Sequence, residues 1–97
     1  MPTGAIRLRV LTDAGLAIDE PAVSIVAPGE PGYLGILRNH APLVTTLAAG
    51  TLRWTQPDGG QRVLRLGGGL LEVARNHVTI LTDRADALQP VETRLGI

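Results

Sequence analysis

The sequence predicts an all-β domain of about eight strands, arranged as a sandwich or barrel. Three observations support this fold class. Apolar and polar residues alternate over many short segments, which is the pattern of half-buried strands. Clusters rich in Gly, Pro, Asn and Asp separate these segments at regular short intervals. The apolar content is 44% with only 2% aromatic residues, so the core is built from aliphatic side chains that suit sheets.

The first strand is predicted at residues 6–10, where Ile, Leu and Val alternate with arginines. Asp13–Gly15 then has the composition of a turn. A short extended segment follows and is expected to end at Pro21, because proline cannot donate to a central strand ladder.

A second extended segment resumes at residues 22–26, with Val23 and Ile25 expected on one face. The interruption around Pro21 predicts a β-bulge or a change of sheet between the two segments. This part of the chain therefore predicts two extended pieces in place of one long strand.

The stretch Ala27–Leu43 departs from strand patterning, since it contains three glycines and three prolines. Glycine permits positive φ or a close backbone approach, whereas proline fixes φ and removes an amide donor. The prediction is a long, stiff, shaped connection. Its composition alone is compatible with a substrate site, a partner surface or a purely structural loop.

Strand signals return after this stretch and continue to residue 82. Asp58–Gly59 is the strongest hairpin signal, because it suits a tight turn with positive φ. Trp54 shares a strand face with Leu52 and is expected in the core. The expected strands lie at 43–47, 51–55, 62–66, 70–74 and 78–82, with a turn at 75–77.

The triplet Gly67–Gly69 predicts a bend in a strand or a close crossing between sheets. A phosphate cradle is disfavoured, because it needs a following helix and an alternating strand follows here. Residues 84–97 break the strand rhythm. Residues 84–89 have the composition of one or two helical turns, but Pro90 interrupts them, so we expect a domain at 1–83 and a tail at 84–97.

The charge balance disfavours polyanionic partners. Nine arginines balance nine acidic residues, and no lysine is present, so electrostatics predicts no nucleic-acid partner. No apolar run approaches the length of a membrane span, and the first residues lack the pattern of a signal peptide, so no direct membrane insertion is expected.

The inventory of reactive groups predicts neither catalysis nor a cofactor or metal. There is no Cys, and His40 and His77 are far apart in sequence and show no metal-ligand spacing. The single serine, Ser24, lies mid-strand instead of on a nucleophile elbow. The carboxylates fall at turns and strand ends. A free-standing sandwich that binds a ligand or protein stays open, although Tyr33 and Trp54 are its only aromatic residues.

Four blocks in one order resemble the epsilon subunit of rotary F-type ATP synthases. They are residues 26–43, 50–53, 68–74 and 78–83. The resemblance implies a flattened β-sandwich of about 8–10 mostly antiparallel strands with a short C-terminal tail. The family also carries a helical hairpin after the sandwich. The sequence shows no counterpart of it, so residues 84–97 are expected to be its remnant or link, and no autoinhibition of ATP hydrolysis is expected.

The resemblance implies a noncatalytic rotor subunit in the central stalk. Its implied partners are the gamma subunit and the c-ring, and its implied role is to couple ion translocation to ATP synthesis or hydrolysis. The implied location is peripheral, at the cytoplasmic face of the inner membrane of a bacterium. Whether the coupled ion is a proton or sodium depends on other subunits.

Two groups of residues carry over from the family. The implied c-ring contacts are Gly29, Glu30, Pro31, Gly32 and Tyr33, and the implied gamma contacts are Arg38, Asn39, His40 and Thr45. Three positions depart from the family pattern, Tyr33 and the pair Arg38–Asn39. Tyr33 stands where an acid is frequent, so Glu30 is expected to supply the carboxylate. Arg38–Asn39 replaces a Pro-Gly turn, which Asn preserves because it tolerates the left-handed region.

Overall fold

The computed structural model describes residues 5–88, and these residues form strands and turns only. The eight strands are β1 (Ile6–Thr12), β2 (Gly15–Ala22), β3 (Ser24–Gly29), β4 (Gly32–Leu37), β5 (Leu43–Thr55), β6 (Gln61–Ala74), β7 (His77–Leu81) and β8 (Ala85–Ala87). The predicted all-β class is confirmed. No helix in the described part of the chain is long and apolar enough to cross a membrane.

The strands form one mixed sheet in the order β2-β1-β7-β6-β5-β3-β4, with β8 paired to β6. Only the β1–β7 pair is parallel among the pairs of described strands, so the expectation of mostly antiparallel strands is confirmed. Strands β2 and β4 are the two edges of this path.

The long strands β5 and β6 contribute to both layers of the sandwich. Strands β7, β1 and β2 follow the C-terminal half of β6 in the first layer. Strand β8 lies beside the N-terminal half of β6, and β3 and β4 follow the C-terminal half of β5, in the second layer. The layers also meet through side chains, since Glu20 of β2 accepts hydrogen bonds from Trp54 of β5 and Arg62 of β6.

The core lies between the layers and follows the alternation of the sequence. In β1 the side chains of Ile6, Leu8 and Val10 are buried, while the arginines between them face outward. The largest buried side chain is Trp54, which is 1% exposed beside the fully buried Leu52, so its predicted core position is confirmed.

Four local predictions are confirmed by the described turns. Gly15 follows the Asp13–Ala14 turn with φ +115, and Gly59 in the β5–β6 hairpin has φ +94. The β6–β7 turn is made by Arg75 and Asn76, both with positive φ. At the glycine triplet, Gly68 and Gly69 have φ +99 and +141 within a continuous strand, so the predicted strand bend is present.

The predictions for residues 16–26 need two corrections. Strand β2 does not end before Pro21; it continues to Ala22, because β2 is an edge strand and a missing amide donor is tolerated there. The predicted bulge or change of sheet between the two segments is present as a change of layer at Val23, between β2 and β3. The register shift of the β1–β2 pair lies elsewhere, at Ala17 of β2, opposite Val10 and Leu11. Val23 does not share the face of Ile25; it is an exposed bend residue between β2 and β3, where the chain changes layer.

The stretch Ala27–Leu43 is not the long connection that its composition predicted. It contains the hairpin of β3 and β4, and only residues 30–31 and 38–42 lie outside strands. Glycines at both ends of the two-residue turn let the strands approach, since Gly29 pairs with Gly32. Pro28 lies in β3 where the β3–β5 register is interrupted, so its missing donor is accommodated at a bulge.

Residues 85–87, which lie in the predicted tail, form strand β8. Ala85–Ala87 pairs with β6, and the amide of Leu88 donates to the carbonyl oxygen of Val63 at 3.3 Å. A three-residue strand has little local signal, so pairing with the long strand β6 decides its conformation. The remainder of the predicted tail lies outside the described residues.

Candidate functional site

The first predicted group, Gly29–Tyr33, forms the tip of the β3–β4 hairpin. Its turn residues Glu30 and Pro31 are exposed. The amide of Glu30 donates to the carbonyl oxygen of Thr46 at 3.0 Å, and the hydroxyl of Thr46 donates to the Glu30 carboxylate at 2.7 Å. The tip is therefore fixed to strand β5, and a carboxylate is held at an exposed position.

The Tyr33 side chain forms a hydrogen bond across the irregular part of the β3–β5 pairing. The amide of Thr51 in β5 donates to the Tyr33 phenol oxygen at 3.2 Å, beside the interruption between Val26 and Gly29. A Cβ placed at Gly50 would approach this oxygen at 3.0 Å, so the glycine at this position leaves room for the Tyr33 phenol. The side chain remains 62% exposed, which leaves much of the ring accessible at the predicted contact surface.

The second predicted group lies mainly in the β4–β5 connection. Asn39 has φ +66, so the expected left-handed turn in place of Pro-Gly is present. The amide of His40 donates to the carbonyl oxygen of Leu37 at 3.1 Å, and its Nδ1 donates to the carbonyl oxygen of Ala41 at 2.8 Å. Arg38 is exposed beside this closed turn.

Asn39 is tied to the β6–β7 turn by two hydrogen bonds. Its amide donates to Oδ1 of Asn76 at 2.6 Å, and Nδ2 of Asn76 donates to Oδ1 of Asn39 at 3.2 Å. The backbone of Asn76 also accepts a hydrogen bond from the amide of Arg7 at 2.8 Å, which fixes the turn to β1. Three segments that are distant in sequence thus form one end of the sandwich.

Thr45 lies apart from the other three residues of its predicted group. It lines a shallow groove of about 340 Å³ together with Leu43 and hairpin residues 31–34. The structure therefore brings Thr45 to the hairpin, while Arg38, Asn39 and His40 lie beyond the far end of β4. The roles predicted for both groups stay predictions.

The hairpin tip lies at an end of the sandwich that carries several carboxylates. Thr46, which holds Glu30, pairs with Leu70, and Leu70 pairs with Leu81 on β7. Directly after β7, Asp83 lines a shallow pocket that it shares with Asp13 and the glycine triplet. We call this surface, defined by Asp13, Glu30 and Asp83, the acidic end.

The opposite end is rich in arginine and includes Arg75, which sequence reasoning did not single out. A depression of about 400 Å³ is lined by Arg7, Arg9, Arg75 and His77, with Ala5 and Asn76 between them. The Asn39–Asn76 contact places Arg38 at the same end. We call the surface of Arg38, Arg75 and His77, with the arginines of β1, the basic end.

Glu20 is a structural carboxylate that its sequence context did not reveal. Its Oε1 accepts hydrogen bonds from Nε1 of Trp54 at 3.0 Å and Nε2 of Gln56 at 2.9 Å. Its Oε2 accepts one from Arg62 at 3.0 Å, and the guanidinium of Arg62 lies 5.5 Å from the Trp54 ring centroid. Because these partners are more than 30 residues away in sequence, no local pattern could have identified them.

Asp19 on β2 has a pKa below its ordinary value of 3.8. The main cause is the hydrogen bond that Nε of Arg7 donates at 2.6 Å; the charges of Arg7 and Arg9 add to it, while desolvation opposes it. The folded state therefore favours the ionised form of Asp19. The contribution of this carboxylate to the free energy of unfolding is present above pH 3.8 and is lost as the pH falls through the lowered pKa.

We expect NMR titration of the Asp19 carboxyl to give a midpoint below 3.8, and Arg7→Ala to move this midpoint upward. Arg53→Ala is the control, because Arg53 is exposed on β5 and has no ion pair with Asp19. A midpoint at or above 3.8 in the unmodified chain would contradict the assigned role of Arg7.

Groups suited to metal binding or nucleophilic catalysis were not predicted. Among residues 5–88 no cluster of three or more His, Asp or Glu side chains could hold a metal ion. Ser24 is half-buried in β3, where it pairs with Leu37 and Thr55. The prominent surface features of the described residues are the fixed hairpin and the two charged ends.

Comparison with known proteins agrees with this sandwich over nearly its whole length. The family model described as "ATP synthase, Delta/Epsilon chain, beta-sandwich domain" matches residues 5–87. The chain belongs to this family. The predicted resemblance and the prediction of a noncatalytic subunit of the epsilon type are thereby confirmed.

Two relatives named ATP synthase epsilon chain illustrate the extent of the similarity. The chain from Desulfitobacterium hafniense (strain Y51) is 39% identical over 89 residues, which cover 92% of this chain and 67% of that relative. The chain from Moorella thermoacetica is 33% identical over 88 residues, which cover 91% of this chain and 66% of that relative. The chain thus spans about two-thirds of the length of these epsilon chains.

A solved structure shows the same fold in an assembled enzyme. A chain in the cryo-EM structure of the Euglena gracilis mitochondrial ATP synthase, described as OSCP/F1/c-ring in rotational state 1, matches with a TM-score of 0.83 and 26% identity. The match covers 95% of this chain and 58% of that chain. Membership in the epsilon family implies association with the F1 complex at a membrane.

Proposed function

We propose that this chain provides the β-sandwich of a noncatalytic rotor subunit that docks the gamma subunit to the c-ring. In this role it couples ion translocation to ATP synthesis or hydrolysis, at the cytoplasmic face of a bacterial inner membrane. The hairpin residues Gly29–Tyr33 are the proposed ring contacts. The proposed gamma contacts are Arg38, Asn39, His40 and Thr45.

The observation that carries this proposal is the position of the hairpin tip at one end of strand β4 and of three proposed gamma contacts, Arg38, Asn39 and His40, at the other end. The fourth, Thr45, lies beside the hairpin. The hairpin tip precedes Gly32, and Arg38–His40 follows Leu37. A strand of six residues is roughly 20 Å long. One rigid strand therefore separates two candidate docking surfaces, which suits a subunit that must contact two partners at once.

The hairpin is suited to a contact that transmits torque, because its conformation is already fixed before binding. The Glu30 amide and carboxylate are both hydrogen-bonded to Thr46, and the Tyr33 phenol is hydrogen-bonded to Thr51. Ordering a loop at an interface costs binding free energy, and a preorganised hairpin avoids much of that cost. The acidic end also presents carboxylates, which suit a partner surface with basic groups.

The test is binding of the purified chain to purified gamma subunit, followed by capture of the gamma complex on c-rings in detergent. We expect a one-to-one gamma complex at micromolar concentration or below. Glu30→Arg is expected to weaken capture on the ring by roughly tenfold, because it reverses the charge at the tip, and to leave gamma binding unchanged.

Glu72→Arg is the matched control, since Glu72 is an exposed carboxylate on β6 outside the hairpin. It makes the same charge change and is expected to retain ring capture. A folded chain that forms no gamma complex at micromolar concentration would contradict the stalk assignment. Equal loss of ring capture in both variants would contradict the proposed role of the hairpin tip.

A further inference from the structure

The charged side chains of this chain are unevenly distributed over the two ends of the sandwich. Net charge is zero over the whole sequence, so the basic end is balanced by carboxylates elsewhere. At the basic end, Asp19 is already engaged by Arg7 at 2.6 Å and lies 3.6 Å from Arg9. Arg7 and Arg9 together carry one positive charge more than Asp19.

Two arginines of the basic end have no carboxylate partner in the described part of the chain. Arg38 and Arg75 are exposed, and neither is within 4.0 Å of an Asp or Glu oxygen among residues 5–88. They lie on different connections, β4–β5 and β6–β7. The reciprocal hydrogen bonds between Asn39 and Asn76 hold these connections together.

The two asparagines fix the positions from which these arginines project. Each asparagine is adjacent in sequence to one of them, Asn39 to Arg38 and Asn76 to Arg75. Both asparagines and Arg75 have positive φ, so the turns are tightly defined. The side chains of Arg38 and Arg75 are flexible, but their backbones are held at one surface. This surface lies beside the depression lined by Arg7 and His77.

We infer that Arg75 and the β6–β7 turn extend the gamma-facing surface, and that the basic end docks an acidic segment of the gamma subunit. This inference rests on the proposed docking to gamma and adds its chemistry. An arginine fork matches a carboxylate in a bidentate geometry, so two such groups on one fixed surface favour a partner with clustered Asp and Glu. Arg75 is not among the gamma contacts that the family resemblance implies, and no local sequence pattern marks it as a contact residue.

Exposed ion pairs contribute modestly to equilibrium stability and strongly to the rate and salt dependence of association. The expected signature is therefore electrostatic. Wild-type association with gamma should slow as salt is raised, because screening lengths fall to a few ångströms near 1 M salt. A partner docked only through apolar contacts would lack this dependence.

The experiment measures association rates and affinity for purified gamma subunit at low and high salt. Arg38→Glu and Arg75→Glu should each lower affinity on the order of tenfold at low salt, mainly through the association rate, and should flatten the salt dependence. Arg53→Glu is the matched control, because Arg53 is an exposed arginine on β5 without an ion pair in the described residues. Circular dichroism verifies that each variant is folded.

The outcomes separate the two proposals. If folded wild-type chain binds no gamma subunit, the proposed function fails together with the inference. If wild type binds and Arg75→Glu behaves like Arg53→Glu, the stalk role stands and the inference about the β6–β7 turn is overturned. Equal weakening by all three variants would also overturn it, because net charge alone would then explain the effect.

Discussion

Replacing Gly69 with alanine is expected to destabilise the sandwich by about 3–5 kcal/mol, since backbone strain and overpacking add together. Gly69 has φ +141, and a Cβ at this position would overlap the carbonyl oxygen of Leu81 on the neighbouring strand. The obstacle is backbone, so no side-chain rotation can relieve it. For a domain of this size each kcal/mol lowers Tm by roughly 4–8 °C.

Gly35→Ala is the control for this substitution. Gly35 lies on edge strand β4 outside the positive-φ region, and a Cβ there would meet no heavy atom within 4 Å. We expect its free energy of unfolding to change by no more than about 0.5 kcal/mol. Thermal and urea unfolding of both variants check the expectation. A Gly69→Ala chain as stable as Gly35→Ala would show that β6 does not need its bend.

The fold was largely predictable because much of its information is local. Alternation at residues 6–10 predicted β1, Asp58–Gly59 predicted the β5–β6 hairpin, and Gly67–Gly69 predicted the bend. The same local reading divided β5 and β6 into shorter strands. Small residues in the middle of these strands, at 48–50 and 67–69, resemble strand ends, and only pairing across the sheet shows that each strand continues.

The composition of Ala27–Leu43 was misleading for a related reason. Glycine and proline are frequent in loops, but here they serve a tight hairpin and a bulge. What decides the conformation is pairing with β5, which lies later in the sequence. The resemblance to a family nevertheless located this stretch as the candidate contact, because its residue order is distinctive even where its secondary structure was misjudged.

The contacts that unify the candidate surfaces could not be predicted from local sequence. Asn39 and Asn76 are separated by 37 positions, yet two hydrogen bonds join them. Glu20 likewise meets its partners across 34 to 42 positions. Such pairs can be identified only after the register of several strands is known. The same register is what places Arg75 on one surface with Arg38.

The second large effect concerns Trp54, which links apolar packing to the polar contacts of Glu20. Trp54→Ala is expected to cost about 3–5 kcal/mol, because it removes the largest buried side chain and leaves a cavity between the layers. Trp54→Phe keeps much of the packing and removes the indole N–H. Glu20 retains donors from Gln56 and Arg62, so we expect this variant to cost only about 1–2 kcal/mol.

Urea unfolding of the two variants separates packing from hydrogen bonding at this position. If Trp54→Phe costs as much as Trp54→Ala, the polar contact with Glu20 would dominate and the packing argument would be wrong. The expected order places most of the stabilisation in the apolar contact between layers. The edge strand β2 is then held to the second layer chiefly by the core, while Glu20 specifies how the two layers align.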